Sequence, residues 1–189
     1  YALANEALRR GARVHFVTGP VDESLIPNSN DDRCAVHRVQ SAREMLQTVE
    51  TYREQANVFI FAAAVGDFRP AQPINRKIKR SGNSITLPLV ENPDISQSVG
   101  FLKHPGQVLI GFAAETDDHI DNARTKISSK NLDAIVINDV ANPEIGFNSL
   151  ENEVTIVTAA GEETHVSQRD KADVAFEVMA TAAELLGQR

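Results

Sequence analysis

The stretch Val58-Phe59-Ile60-Phe61-Ala62-Ala63-Ala64-Val65 decides the fold. It is an unbroken apolar run that follows Asn57 and stops at Gly66-Asp67. Its length and bounds suit a strand buried on both faces, the pattern of parallel strands sandwiched between helices. Further runs of the same kind lie upstream at 14–17, closed by Gly19-Pro20, and downstream at 108–112, 133–137 and 154–157. Helical patterns fill the intervals. Ser41 and Glu44 form a Ser-x-x-Glu capping box that opens a helix through Arg53, and a second helix is predicted over 119–129.

Ser167 and Asp170 read as caps of a last helix, with Ala172, Val174, Ala175, Val178 and Met179 as its apolar stripe. Asn92-Pro93-Asp94 reads as a helix start, with proline early in the first turn. Residues 85–90 are compatible with a strand, and the polar run 28–32 reads as a surface loop. Residues 2–10 read as a helix, with Leu3, Ala7 and Leu8 at helical spacing and Gly11 as its stop. A helix with no strand before it gives the expectation that the chain begins inside a larger domain. The alternation of strands and helices predicts one α/β domain over residues 1–189, a Rossmann-like three-layer sandwich with a mostly parallel sheet.

Composition narrows the function. The chain has 189 residues, 42% of them hydrophobic and 24% charged, which excludes a disordered or fibrous class. Lys+Arg 19 against Asp+Glu 26 gives a net charge of -7, which argues against a general binder of nucleic acid or anionic membranes. No apolar run approaches the roughly 20 residues of a membrane span. Cys34 is the single cysteine, so no internal disulfide can form, and a reducing cytoplasm is expected. Cys34 is read in a polar loop, with no base beside it. The five histidines (His15, His37, His104, His119, His165) are scattered without metal-ligand spacing. No GxGxxG, GxxxxGK[ST] or GxSxG occurs.

Ligands of open parallel sheets sit beyond the carboxyl ends of the strands. The residues there are Gly66-Asp67-Phe68-Arg69, Gly111-Phe112-Ala113-Ala114-Glu115-Thr116 and Asn138-Asp139-Val140. They suit a binding edge, and they equally suit ordinary strand-end turns. Composition then shifts at Arg69: Arg69, Arg76, Lys77, Lys79 and Arg80 are five basic residues with no acid among positions 69–80. Such a run reads either as a solvated loop face or as a cradle for phosphates. Lys126 and Lys130, four apart on the predicted helix, project from one face. Two lysine elements near one sheet edge would offset the charge of a reacting triphosphate. Asp67 reads as a turn residue or as a ligand that shares Mg2+ with substrate phosphates.

With these residues the sequence resembles the bacterial phosphopantothenoylcysteine synthetases, commonly the C-terminal half of a bifunctional coenzyme A biosynthetic protein. The resemblance rests on Ala62-Ala63-Ala64-Val65-Gly66-Asp67-Phe68, Lys77-Ile78-Lys79-Arg80, Asn92-Pro93-Asp94-Ile95 and Gly111-Phe112-Ala113-Ala114-Glu115-Thr116. Ala123-Arg124, Lys126, Lys130 and Asp133, leading into Asn138-Asp139-Val140, complete it, so that it runs through essentially the whole chain. It implies a ligase that uses CTP, with Mg2+, to join 4'-phosphopantothenate to L-cysteine through an acyl-cytidylate. Phe61, Ala62 and Ala63 are implied along the cytidine ring, and Asp67 at the nucleotide-binding aspartate. Lys77 is implied as the catalytic cation that neutralises the phosphates in the first step. Pro93, Asp94, Ile95 and Ser96 match the loop over the nucleotide, and Phe112, Lys126 and Lys130 match contacts to base and phosphates. A homodimer is implied, as is a flavin-dependent decarboxylase domain fused upstream in the full-length protein.

Arg80 stands where the family usually has lysine, and Gly66 and Phe68 replace Ala and Tyr. The resemblance places the family's first strand, its Gly-rich turn and the asparagine that processes the acyl-cytidylate upstream of Tyr1. Two other classes compete: a Rossmann-type NAD(P)-binding oxidoreductase, and a noncatalytic nucleotide-binding or dimerisation fragment. The missing Gly-rich fingerprint and the lack of a Tyr-x-x-x-Lys pair count against the oxidoreductase.

Overall fold

The computed structural model describes residues 1–27, 31–74, 76–79, 84–115, 119–139 and 151–188. Its main sheet has five strands in the order β3-β6-β7-β8-β9: β3 (Val58–Phe61), β6 (Val108–Glu115), β7 (Ala134–Asp139), β8 (Glu151–Thr158) and β9 (Glu163–Asp170). β3, β6 and β7 pair in parallel, and the β7–β8 and β8–β9 pairings are antiparallel. The two faces of β6 explain the layering. Val108 and Ile110 point into one core, with Val136, Ile156 and Val178, while Leu109 and Ala113 point into the other, with Val99, Ile127 and Ile135. Every second residue changes face, so an unbroken apolar run fills both cores at once. Helix α5 (Lys171–Gly187) covers the first face, and α3 (Ile95–Phe101) and α4 (His119–Lys130) supply residues to the second.

A second, two-stranded parallel sheet joins β1 (Val14–Thr18) to β2 (Cys34–Arg38). Helices attach it to the main body: α1 (Ala2–Arg9) packs on α5, and α2 (Ala42–Tyr52) on α3. The predicted capping box is present, for Ser41 Oγ accepts from the Glu44 amide at 3.2 Å and Glu44 Oε2 accepts from the Gln40 amide at 2.9 Å. Asp133 pins the base of β6 to β7. Its Oδ2 accepts from the Leu109 amide at 2.8 Å, and its Oδ1 pairs with Lys103 Nζ at 3.0 Å.

Several sequence expectations change. The run 58–65 is a strand only to Phe61, and Phe59 alone among the strand's four residues is buried, because β3 is the outer strand of its sheet. Residues 163–170 form β9, a strand absent from the reading, so Ser167 is a strand residue; Asp170 is the N-cap residue of α5, which begins at Lys171, but its side chain makes no cap hydrogen bond. Residues 85–90 give only the short β5 (Leu89–Glu91), which pairs antiparallel with β4 (Phe68–Pro70) to form an arm. Cys34 lies buried on β2, not in a polar loop, and burial pushes its thiol pKa up. The histidines are not all scattered. His15 and His37 meet across β1 and β2 with Nδ1 and Nε2 3.1 Å apart, and both rings lie against Tyr52. Among the described residues no helix is long and apolar enough to cross a membrane.

Candidate active site

The site is built where the chain leaves β3. After Phe61 the pairing with β6 ends, and Ala62, Ala63 and Ala64 are exposed beyond the sheet edge. Small side chains at this point leave backbone amides and carbonyls open to a ligand. The chain then folds tightly, with the Val65 amide donating to the Ala63 carbonyl at 3.1 Å. Asn92 ties this turn to the segment ahead of α3. Its backbone amide donates to the Asp67 carbonyl and its Nδ2 to the Gly66 carbonyl, both at 2.7 Å. Arg69 closes the same junction by donating to the Glu91 carbonyl and to Asn92 Oδ1. The sequence reading used Asn92 only as part of a helix start. Its role here joins residues 26 apart in sequence, and no local signal marks it.

These bonds hold the backbone of Asp67 against Asn92, which directly precedes Pro93 and Asp94. Asp67 is exposed, and its carboxylate makes no hydrogen bond or ion pair among the described residues. Asp94 is the N-cap of α3: its Oδ1 accepts from the Gln97 amide at 2.9 Å and from Ser96 Oγ at 2.8 Å. Its Oδ2 pairs with Lys130 Nζ on α4 at 2.9 Å. Burial pushes the Asp94 pKa up, but the bonds from Gln97, Lys130 and Ser96 outweigh it and leave it below the usual carboxylate range. Ile95 is buried and faces inward, so only its backbone is available to a ligand.

Lys126 lies one helical turn before Lys130 on α4 and is half-buried. Phe61 is half-buried against the α3/α4 core. Phe112 lies on the opposite face of the sheet, half-buried against the core beneath α5, and the structure does not bring it to Asp94 and Lys130. Lys77 lies on the arm between β4 and β5, exposed and without a hydrogen bond or ion pair among the described residues. Arg80, Thr116 and Val140, which the sequence reading included, fall outside the described residues. A cleft of about 520 Å³ opens between the start of α2 and the base of the arm, lined by Ser41, Arg43, Arg69, Pro70, Ala71, Pro73 and Val90. None of the expected ligand contacts lines it.

Among the described residues no group of three or more His, Cys, Asp or Glu side chains converges to hold a metal ion. The exposed Asp67 carboxylate fits a Mg2+ ion that takes its remaining ligands from phosphates and water, which is how this ion is commonly held.

Three comparisons place the chain among known proteins. It is 40% identical over 179 residues to a cysteine/cysteine sulfinic acid decarboxylase from an unknown prokaryotic organism, covering 94% of this chain and 48% of that protein. It is 38% identical over 189 residues to the Coenzyme A biosynthesis bifunctional protein CoaBC of Vibrio vulnificus (strain CMCP6), covering 99% of this chain and 46% of that protein. The chain therefore spans about half the length of both relatives. The crystal structure of the C-terminal domain of a CoaBC protein matches with a TM-score of 0.81 at 31% identity, covering 100% of this chain and 82% of that one. Residues 1–186 match the family described as the DNA/pantothenate metabolism flavoprotein C-terminal domain, and with the edge of β3, the arm and α3 arranged as above, the chain belongs to that family.

Proposed function

We propose that this chain is the ligase part of a coenzyme A biosynthesis protein and joins 4'-phosphopantothenate to L-cysteine at the expense of CTP. The observation that carries the reading is the match of fold and sequence, over the whole chain, to the C-terminal domain of CoaBC. In the first step the pantothenate carboxylate oxygen attacks the α-phosphorus of CTP, forming an acyl-cytidylate and expelling pyrophosphate. In the second, the cysteine amine attacks the acyl carbonyl, the C–O bond to CMP breaks, and an amide forms with loss of a proton. The nucleotide lies along Phe61, Ala62 and Ala63 and under the loop of Pro93, Asp94, Ile95 and Ser96. Lys77, Lys126 and Lys130 supply positive charge where it develops on the phosphates, the role for which fixed cations are most effective. Asp67 is the residue that would hold a Mg2+ ion, and such an ion would supply neutralisation of the phosphate charge.

The arm supports a homodimer. Phe68, Ile78, Ile85, Leu87 and Leu89 are all about half-exposed or more on it, and an apolar patch of this extent on a two-stranded ribbon favours pairing with a second copy. The bifunctional relatives are about twice as long as this chain, which supports a decarboxylase domain upstream in the full-length protein.

The test is pyrophosphate release by the full-length protein from CTP, Mg2+ and 4'-phosphopantothenate, with and without cysteine. Release in both cases, with amide product only when cysteine is added, is expected. Release that does not depend on 4'-phosphopantothenate, or binding of NAD(P) in preference to CTP, would overturn the reading.

A further inference from the structure

The Asp94 carboxylate has no oxygen left over. Oδ1 holds two donors, the Gln97 amide and Ser96 Oγ, and Oδ2 holds Lys130 Nζ. The negative charge of the carboxylate makes it a poor direct ligand for nucleotide phosphates, which it would repel if nothing neutralised it. Lys130, in contrast, spends one of its three ammonium donors on Asp94, its one partner among the described residues. The pair is partly shielded, with side-chain exposures of 28% for Lys130 and 37% for Asp94.

The geometry around the pair fixes it further. Gly100, in the last turn of α3, is so close to the α4 terminus that a Cβ built on it would stand 1.9 Å from the Lys130 carbonyl oxygen. Asn131 Nδ2 donates to the Gly100 carbonyl at 2.9 Å, and Lys103 Nζ donates to the Asn131 carbonyl at 2.9 Å. The backbone of Lys130 is thus held against the end of α3, while its side chain runs back along that helix to the cap at its start. A lysine stem has many rotamers, and tethering both its base and its tip removes most of them before a ligand arrives.

We infer that Asp94 is a positioning residue, which caps α3 with one oxygen and with the other aims the Lys130 ammonium at the nucleotide phosphates; this rests on the CTP-ligase reading above. Asp94→Asn separates the two duties. The Asn side-chain oxygen still accepts from the Gln97 amide, so the cap survives, but the charge that holds Lys130 is gone. Steady-state kinetics of the full-length protein are to be measured for the parent, Asp94→Asn, Lys130→Met and the double variant, with melting temperatures alongside. The expected result is a rise of about fivefold in KM for CTP in Asp94→Asn, with kcat and melting temperature near the parent's. Lys130→Met should raise KM by at least as much, and the double variant should be no worse than Lys130→Met alone. A parental KM for CTP in Asp94→Asn, or effects of the two substitutions that multiply, would overturn the positioning role and leave the ligase reading standing. A parent that releases no pyrophosphate from CTP would overturn that reading and this inference together.

Discussion

Gly100→Ala tests whether the approach of α3 to α4 is as close as the structure places it. In an ordinary helix interior this substitution stabilises by up to about 1 kcal/mol, because glycine loses more backbone freedom on folding. Here the new methyl would meet the Lys130 carbonyl oxygen at 1.9 Å and its carbon at 2.9 Å, whereas real Cβ atoms essentially never come within 3.0 Å of another atom. The obstacle is backbone, so no rotamer change relieves it, and the end of α4 must retreat by roughly 1 Å. Overpacking of this kind costs about 1–3 kcal/mol or more, and the upper part of that range applies because the α4 terminus is also tied through Asn131 and Lys103. After the gain in helix propensity, a net loss of about 2 kcal/mol remains, or about 4–8 °C in Tm for a chain of this length. The assay is thermal unfolding of Gly100→Ala beside Gly187→Ala, a helical glycine with nothing within 4 Å of its added Cβ. Gly187→Ala should be neutral or slightly stabilising. A Gly100→Ala protein as stable as the parent would refute the packing argument, and with it the tether on the backbone of Lys130.

Asp133→Ala strands the Lys103 ammonium and the Leu109 amide, with side chains only 10% and 8% exposed in the ion pair. The expected loss is about 3–5 kcal/mol by urea unfolding, and a loss below about 1 kcal/mol would show that the pair is not structural. Lys77→Gln should abolish pyrophosphate release from CTP while leaving the circular dichroism spectrum unchanged, and release at the parent rate would remove Lys77 from the first step.

His15 should make stability depend on pH. Burial, then the neighbouring charges of His37 and Arg13, lower its pKa from 6.5. The folded protein therefore binds this proton less readily than the unfolded chain does, so stability is present above pH 6.5 and falls as pH drops below it. His15→Phe keeps a ring against Tyr52 and removes the titration, so urea midpoints compared between pH 7.5 and 5.5 should fall less in the variant; equal falls would refute the assignment.

Much of this was legible in the sequence because the signals are local. Apolar runs located the strands at 14, 58, 108 and 134; over 108–111 and 134–137 every residue is buried, which forbids polar side chains there. The capping box and the Asn92-Pro93-Asp94 start located α2 and α3 within a residue or two, because each is a bond between neighbours, although Pro93 lies just ahead of the Asp94 cap and not in the first turn. The strand β9 was not legible: Glu163, Thr164, His165, Ser167, Gln168 and Arg169 give it an almost wholly polar sequence, and only pairing with β8 makes it a strand. Phe112 sits on a face that strand alternation decides, and Lys126 shares a side of α4 with Lys130 as the four-residue spacing required.

What the sequence determined by itself is therefore the fold class and the parallel core strands, together with the set of charged residues proposed to serve a nucleotide. Which of those residues meet was decided only in three dimensions. Asp94 finds Lys130 from 36 positions away, Asn92 holds the turn at Gly66 from 26, and His15 reaches His37 across 22. No periodicity or spacing rule spans such distances. These contacts depend on which helices face each other and how closely their backbones approach, and packing around two cores settles both.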